Sequence, residues 1–148
     1  MIETIHKFEK AVVTLLNFDG WNLEHTGENY EYYDAKGTTP KGIECVMEMK
    51  FRKTYYDTKI IEKAKFDKLI KHDAAFYLVS DPKGTYIFWL NDLKDLKETQ
   101  MYCPDTTLWT KKKVLKPCYL LKENQAVLID YLNEKKGVWD DYFNRHKK

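Results

Sequence analysis

Two apolar, aromatic runs, Ala75 to Ser80 and Thr85 to Leu90, joined by Asp81-Pro82-Lys83-Gly84, constrain the fold of this chain more than any other segment. The linking residues suit a tight turn, so the runs predict a β-hairpin. A sheet built on such strands needs cover, and helix-period segments precede it. Residues 2–16 place Ile2, Ile5, Val12, Val13 and Leu16 at helical spacing, with Phe8 and Leu15 at the edge. Asn17 and Gly20 help to end that helix. From about Thr58 to His72 a second helix is expected. Its apolar positions, Ile60, Ile61, Ala64, Phe66, Leu69 and Ile70, wrap widely around the axis, so it is covered on more than one side.

Between the two helices, Trp21 to Glu28 reads as irregular or partly extended. Tyr30 to Ala35 alternates as a Tyr-rich strand, which the cluster Gly37-Thr38-Thr39-Pro40-Lys41-Gly42 breaks. A second strand follows from Ile43 to about Phe51, and the two form a hairpin with a polar loop. Further on, Asn91 to Glu98 suggests a short helix and Val114 to Leu121 a last strand. Asn124 to Lys136 then suggests a helix ended by Gly137. The order α-β-β-α-β-β-(α)-β-α predicts a mixed α/β (α+β) domain with helices covering a central sheet.

At 148 residues the chain is expected to form one domain, 1–148. Its 43% hydrophobic content and 11 Tyr, 7 Phe and 4 Trp supply enough apolar surface to offset the entropy of ordering. No run approaches the ~20 apolar residues that span a bilayer, and Glu3, Lys7, Glu9 and Lys10 interrupt the N-terminal segment. A soluble, cytoplasmic protein that is neither exported nor membrane-bound is expected. Cys45, Cys103 and Cys118 form no CxxC pair, and His6, His25, His72 and His146 form no HxxxH pair. Reduced structural thiols follow, and any metal has to be held by oxygen ligands.

The net charge of +2 conceals an uneven distribution. Residues 1–35 and 73–109 are acidic, whereas 36–72 and 110–148 each carry ten bases against five acids. Lysine-rich blocks of this kind, including Lys111, Lys112 and Lys113, either solvate a surface or track a phosphate backbone.

Asp34 at the end of the first strand and Glu48-Met49-Lys50 late in the second carry the chemistry. Period-two alternation sets Glu48 and Lys50 on one face of their strand, with Cys45, Met47, Met49 and Phe51 on the other. Across the hairpin, Asp34 and Glu48 converge as oxygen ligands suited to Mg²⁺, with Lys50 facing the same phosphate. An acid two residues before a lysine is a weak signal: chance alone predicts about three or four such pairs, and this chain has seven. Only Glu48/Lys50 lies within an expected core strand that follows a strand ending in an acid.

The stretch YEYYDAKGTTPKGIECVMEMKFRK resembles the PD-(D/E)XK nuclease superfamily over about residues 1–90. The resemblance implies a restriction endonuclease-like α-β-β-α-β core, a central mixed β-sheet flanked by helices, and metal-dependent hydrolysis of phosphodiester bonds. Asp34 takes the place of the motif Asp, Glu48 of the second acid and Lys50 of the lysine, while Tyr33 stands where the motif's Pro is expected. It further implies a metal role for an acid of the first helix. Glu9 projects from the apolar stripe there, and its residue-level alternative is a stripe-edge carboxylate paired with a lysine or reaching water. Lys65 and Lys68, on the following helix, either approach the scissile phosphate or are solvated. Arg52 and Lys53 are candidate nucleic-acid contacts. Beside them, Tyr55 and Tyr56 either stack on a base or pack in the core.

The reading that follows is a Mg²⁺-dependent nuclease, with Mn²⁺ able to substitute, acting on DNA as an endo- or exodeoxyribonuclease. RNA stays open as a substrate and a homodimer as an assembly. The alternatives are a non-catalytic nucleic-acid- or protein-binding module that keeps the nuclease-like fold, and an accessory protein that inhibits a partner through its aromatic surface.

Overall fold

A computed structural model of the chain describes residues 2–28, 32–104 and 112–127. Helix α1 spans Ile2–Phe18 and leads into a short strand β1, Asn22–His25. Strands β2, Ala35–Thr38, and β3, Glu44–Phe51, form the expected hairpin. Strand β4, Thr58–Glu62, runs into helix α2, Lys63–Leu69, and β5, Ala75–Asp81, turns tightly into β6, Gly84–Trp89. A 3₁₀ turn at Leu90–Asp92 leads to β7, Lys97–Pro104; β8, Lys113–Lys122, follows and ends in a 3₁₀ turn at Glu123–Gln125.

The strands assemble into two sheets. A five-stranded mixed sheet has the order β1-β2-β3-β5-β6, parallel only between β3 and β5. A three-stranded antiparallel sheet has the order β4-β8-β7. Alternation along β3, β5 and β6 divides the core between the two faces of the larger sheet. Cys45, Met47, Met49, Phe76, Leu78 and Ile87 pack with Val12, Val13 and Leu16 of α1. Val46, Tyr77, Val79, Tyr86 and Phe88 pack with Ile61 of β4, Phe66 and Leu69 of α2 and Leu121 of β8. Glu48 and Lys50 belong by register to this second face, beneath the smaller sheet. No helix among the described residues is long and apolar enough to cross a membrane.

Several boundaries differ from expectation. The first hairpin strand begins at Ala35, where the sequence reading ends it, and Gly37 and Thr38 are strand residues. Gly37 is there because β1 presses against it: a Cβ would stand 1.9 Å from the Asn22 carbonyl oxygen. The expected helix 58–72 is β4 followed by a helix of seven residues. Ile60 and Ile61 extend because they pair with Leu120 and Tyr119 of β8, a partner that local periodicity does not reveal. The helix expected at Asn91–Glu98 is only the 3₁₀ turn, and Lys97–Pro104 adds an edge strand to the smaller sheet. Of the expected helix 124–136, only Asn124–Val127 are described, and Asn124 and Gln125 form part of a 3₁₀ turn.

Candidate active site

Asp34 sits in the bend immediately before β2. Its amide donates to the Met47 carbonyl at 2.9 Å, and its carboxylate Oδ2 accepts from the Met49 amide at 2.7 Å. Those two bonds hold the side chain beside β3, where Glu48 projects. Glu9 reaches the same point from α1 and is 4% exposed. Its Oε1 lies 2.7 Å from His25 Nε2 at the end of β1. Gly27 makes room for that pair, since a Cβ there would stand 2.6 Å from Glu9 Oε1 and 2.8 Å from His25 Nε2.

The three carboxylates line one cleft of about 420 Å³ with Lys50, Arg52, Ile60, Ile61, Glu62, Lys65, Tyr77, Tyr102, Cys103 and Lys113. A larger hollow of about 690 Å³, bordered by Asn22, Gly37, Glu44 and His72, contains none of the three carboxylates.

Burial and crowding set the protonation of this cluster. Glu48 is pushed up to about 8, first by burial and then by its hydrogen bond to Asp34 and that group's charge, with Lys65 opposing. Glu9 is raised to about 7 by burial and then by the charge of Asp34. Lys50 is lowered, first by burial and then by Arg52 and Lys65. Lys65 Nζ stands 2.9 Å from Glu48 Oε2, and the Glu48 charge raises Lys65 in spite of burial. Burial lowers His25, followed by the charge of Lys10.

Burial and the crowding of three carboxylates raise two of them towards neutral pH, as is common at functional sites. All the oxygens are carboxylate, the donor chemistry of a hard cation that keeps several waters. The residues therefore fit Mg²⁺ or Mn²⁺. Among the described residues no group of three or more His, Cys, Asp and Glu side chains stands as a formed metal cage. Lys65 takes one oxygen of Glu48 and His25 one oxygen of Glu9.

The remaining candidates divide. Arg52 and Lys65 line the cleft, and Lys68 lines a neighbouring groove of about 310 Å³ with Lys65, Lys116 and Tyr32. Lys53 is exposed and lines neither. Tyr55 lies elsewhere, with its hydroxyl donating to Glu123 at 2.7 Å, and Tyr56 is exposed. Of the lysine run 111–113, Lys112 and Lys113 are described; Lys113 reaches the cleft, and Lys111 lies outside the described residues. His25 and Tyr102 complete the surroundings without an advance signal. His25 is sixteen residues from its partner, and Tyr102 belongs to a strand that reads as polar.

Neither a protein-family model nor a curated protein matches the sequence. Among solved structures, the chain is similar to Hjc, a Holliday junction resolvase from the archaeal hyperthermophile Archaeoglobus fulgidus. The TM-score is 0.52 at 14% identity, over 83% of this chain and 87% of that one. The likeness is one of fold. The chain has the restriction endonuclease-like architecture that the sequence resemblance implies, a mixed sheet with α1 on one face and α2 on the other.

Proposed function

We propose that the chain is a metal-dependent nuclease that hydrolyses phosphodiester bonds in DNA. The observation that carries this reading is the meeting of Glu9, Asp34, Glu48 and Lys50, from three separate elements, in one cleft of a nuclease-like fold. Asp34 and Glu48 are the residues to hold Mg²⁺, with Glu9 completing the set and Mn²⁺ able to substitute. A bound divalent ion would supply a lowered water pKa and charge neutralisation at the phosphate.

The protein's own groups do the rest. Asp34 is oriented by the Met49 amide, and Glu9 by His25. Lys50, with its pKa lowered, sits on the same strand face as Glu48. There it holds the attacking water and stabilises the charge that develops on the phosphate oxygens. Lys65, paired with Glu48 at 2.9 Å, lines the cleft where it would face the phosphate.

The Lys65–Glu48 pair also favours a second reading, a binding module of the same fold in which that ion pair is permanent. Purified protein incubated with a panel of DNA and RNA structures in Mg²⁺, Mn²⁺ or EDTA separates the two. The nuclease cleaves only with metal, and Lys50→Ala slows cleavage by ~10²-fold or more while leaving DNA affinity intact. Cleavage by Lys50→Ala at the wild-type rate contradicts the mechanism, and binding without cleavage in every metal supports the module.

A further inference from the structure

We infer that the cleft takes its substrate as a single unpaired nucleic-acid strand, with Tyr102 as the platform on which a base stacks. This rests on the nuclease reading for the chemistry, but not for the binding. The face of β3 that carries buried Glu48 and exposed Lys50 is partly covered. Ile60, Ile61 and Glu62 of β4 and Tyr102 and Cys103 of β7 wall the space above it, leaving about 420 Å³. That is the room of a small molecule or a nucleotide.

Tyr102 lines this cleft and yet is 71% exposed, an aromatic ring offered to solvent beside the carboxylates. It pairs in register with Leu115, and Lys113, two residues along β8, shares its face. A ring next to a cation is the combination that binds single strands: the ring takes any base and the lysine a phosphate. The cleft walls carry Glu9, Asp34, Glu48 and Glu62 against Lys50, Arg52, Lys65 and Lys113, a balanced set that one divalent ion tips to positive. From Lys65 the track continues into the neighbouring groove, where Lys68 and Lys116 stand with Tyr32, itself 41% exposed. Lys65 borders both hollows, so one backbone can pass from the cleft to the groove, with Lys116 paired to Glu62 at 3.0 Å.

Fluorescence anisotropy of the full chain in EDTA, with a labelled oligothymidylate and a duplex of the same length, tests this without any need for cleavage. The oligothymidylate is expected to bind at least ~10-fold more tightly than the duplex. Tyr102→Ala should weaken its binding by roughly 5- to 100-fold, the range for loss of one stacked base. Tyr102→Phe should keep it within about twofold, because the ring is retained. Duplex binding equal to or tighter than oligothymidylate binding overturns the inference, as does no binding of either. An unchanged affinity in Tyr102→Ala also overturns it. Absence of cleavage with binding preserved counts against the nuclease reading alone.

Discussion

The protein has two buried clusters of charge, one where the smaller sheet meets β5 and one beside β3, and they are built on opposite terms. At one, the Lys59 ammonium is 2% exposed, lies 2.7 Å from Asp81 and 3.3 Å from Glu123, and donates to the Tyr56 carbonyl. The rings of Tyr55 and Tyr86 cover it at 4.5 and 4.4 Å. Every neighbour of that cation is an acceptor or a π face, so its charge is met. At the other cluster, Glu9, Asp34 and Glu48 crowd together, and two of them are driven up to about 7 and 8. A folded chain satisfies buried charge where it needs only stability. Carboxylates crowded in a cleft, each with one partner outside the cluster, and two of them raised in pKa by burial and crowding, point to a ligand that draws them together.

The contrast breaks first at Lys59. Lys59→Met leaves Asp81 buried without its cation and should destabilise the protein by about 3–5 kcal/mol. Urea unfolding measures this, and a loss within experimental error would mean that the Lys59 cluster is no better met than the other. The opposite sign is expected at Glu48. Glu48→Gln removes a crowded carboxylate, so the melting temperature without metal should equal or exceed the wild-type value while metal-dependent cleavage is lost. A fall of several degrees would show that Glu48 is there for stability.

The pH dependence sharpens the comparison at smaller amplitude. Glu48 and Glu9 have pKa values raised above 4.5 in the folded state, so their protonated forms favour folding. Their contribution is complete below pH 4.5 and is lost as the pH rises through about 7 and 8. In EDTA, thermal stability should therefore fall from pH 5 towards pH 8.5, and Mn²⁺, which selects the ionised carboxylates, should restore it. Glu48→Gln should flatten the EDTA profile. A wild-type profile that rises over this range contradicts the assignment. The smallest effect is expected at Glu9, where Glu9→Gln should weaken Mn²⁺ binding or activity with little change in stability, read by calorimetry and melting. Full affinity and full activity in that variant would return Glu9 to a purely structural role.

How far the sequence could be read depends on the range of the interactions that shape each part. Alternation alone separates Glu48 and Lys50 from Cys45, Met47 and Met49, and helical spacing alone aims Glu9 inward. These are properties of single elements, and the structure keeps them. Asp34 needed only a neighbouring strand. Thr58–Glu62 was misread because its partner, β8, lies some sixty residues on, and a β-branched pair such as Ile60-Ile61 follows its partner more than its own period. Lys97–Pro104 was missed because its first four residues, Lys97, Glu98, Thr99 and Gln100, are polar and only Met101 and Cys103 alternate inward. His25 went unnoticed, and Lys59 read as one more lysine of a basic block open to a phosphate backbone although it is buried against Asp81; each acquires its meaning from partners that only the tertiary fold brings near.

The central claim is that the cluster at Asp34 and Glu48 is short of a divalent cation, and calorimetric titration with Mn²⁺ tests it most directly. Wild-type protein should bind Mn²⁺ with a measurable heat. Asp34→Asn and Glu48→Gln, both still folded, should each bind it at least ~10-fold more weakly, as for a substitution in a metal's immediate surroundings. Equal Mn²⁺ affinity in the wild type and both variants would contradict the account.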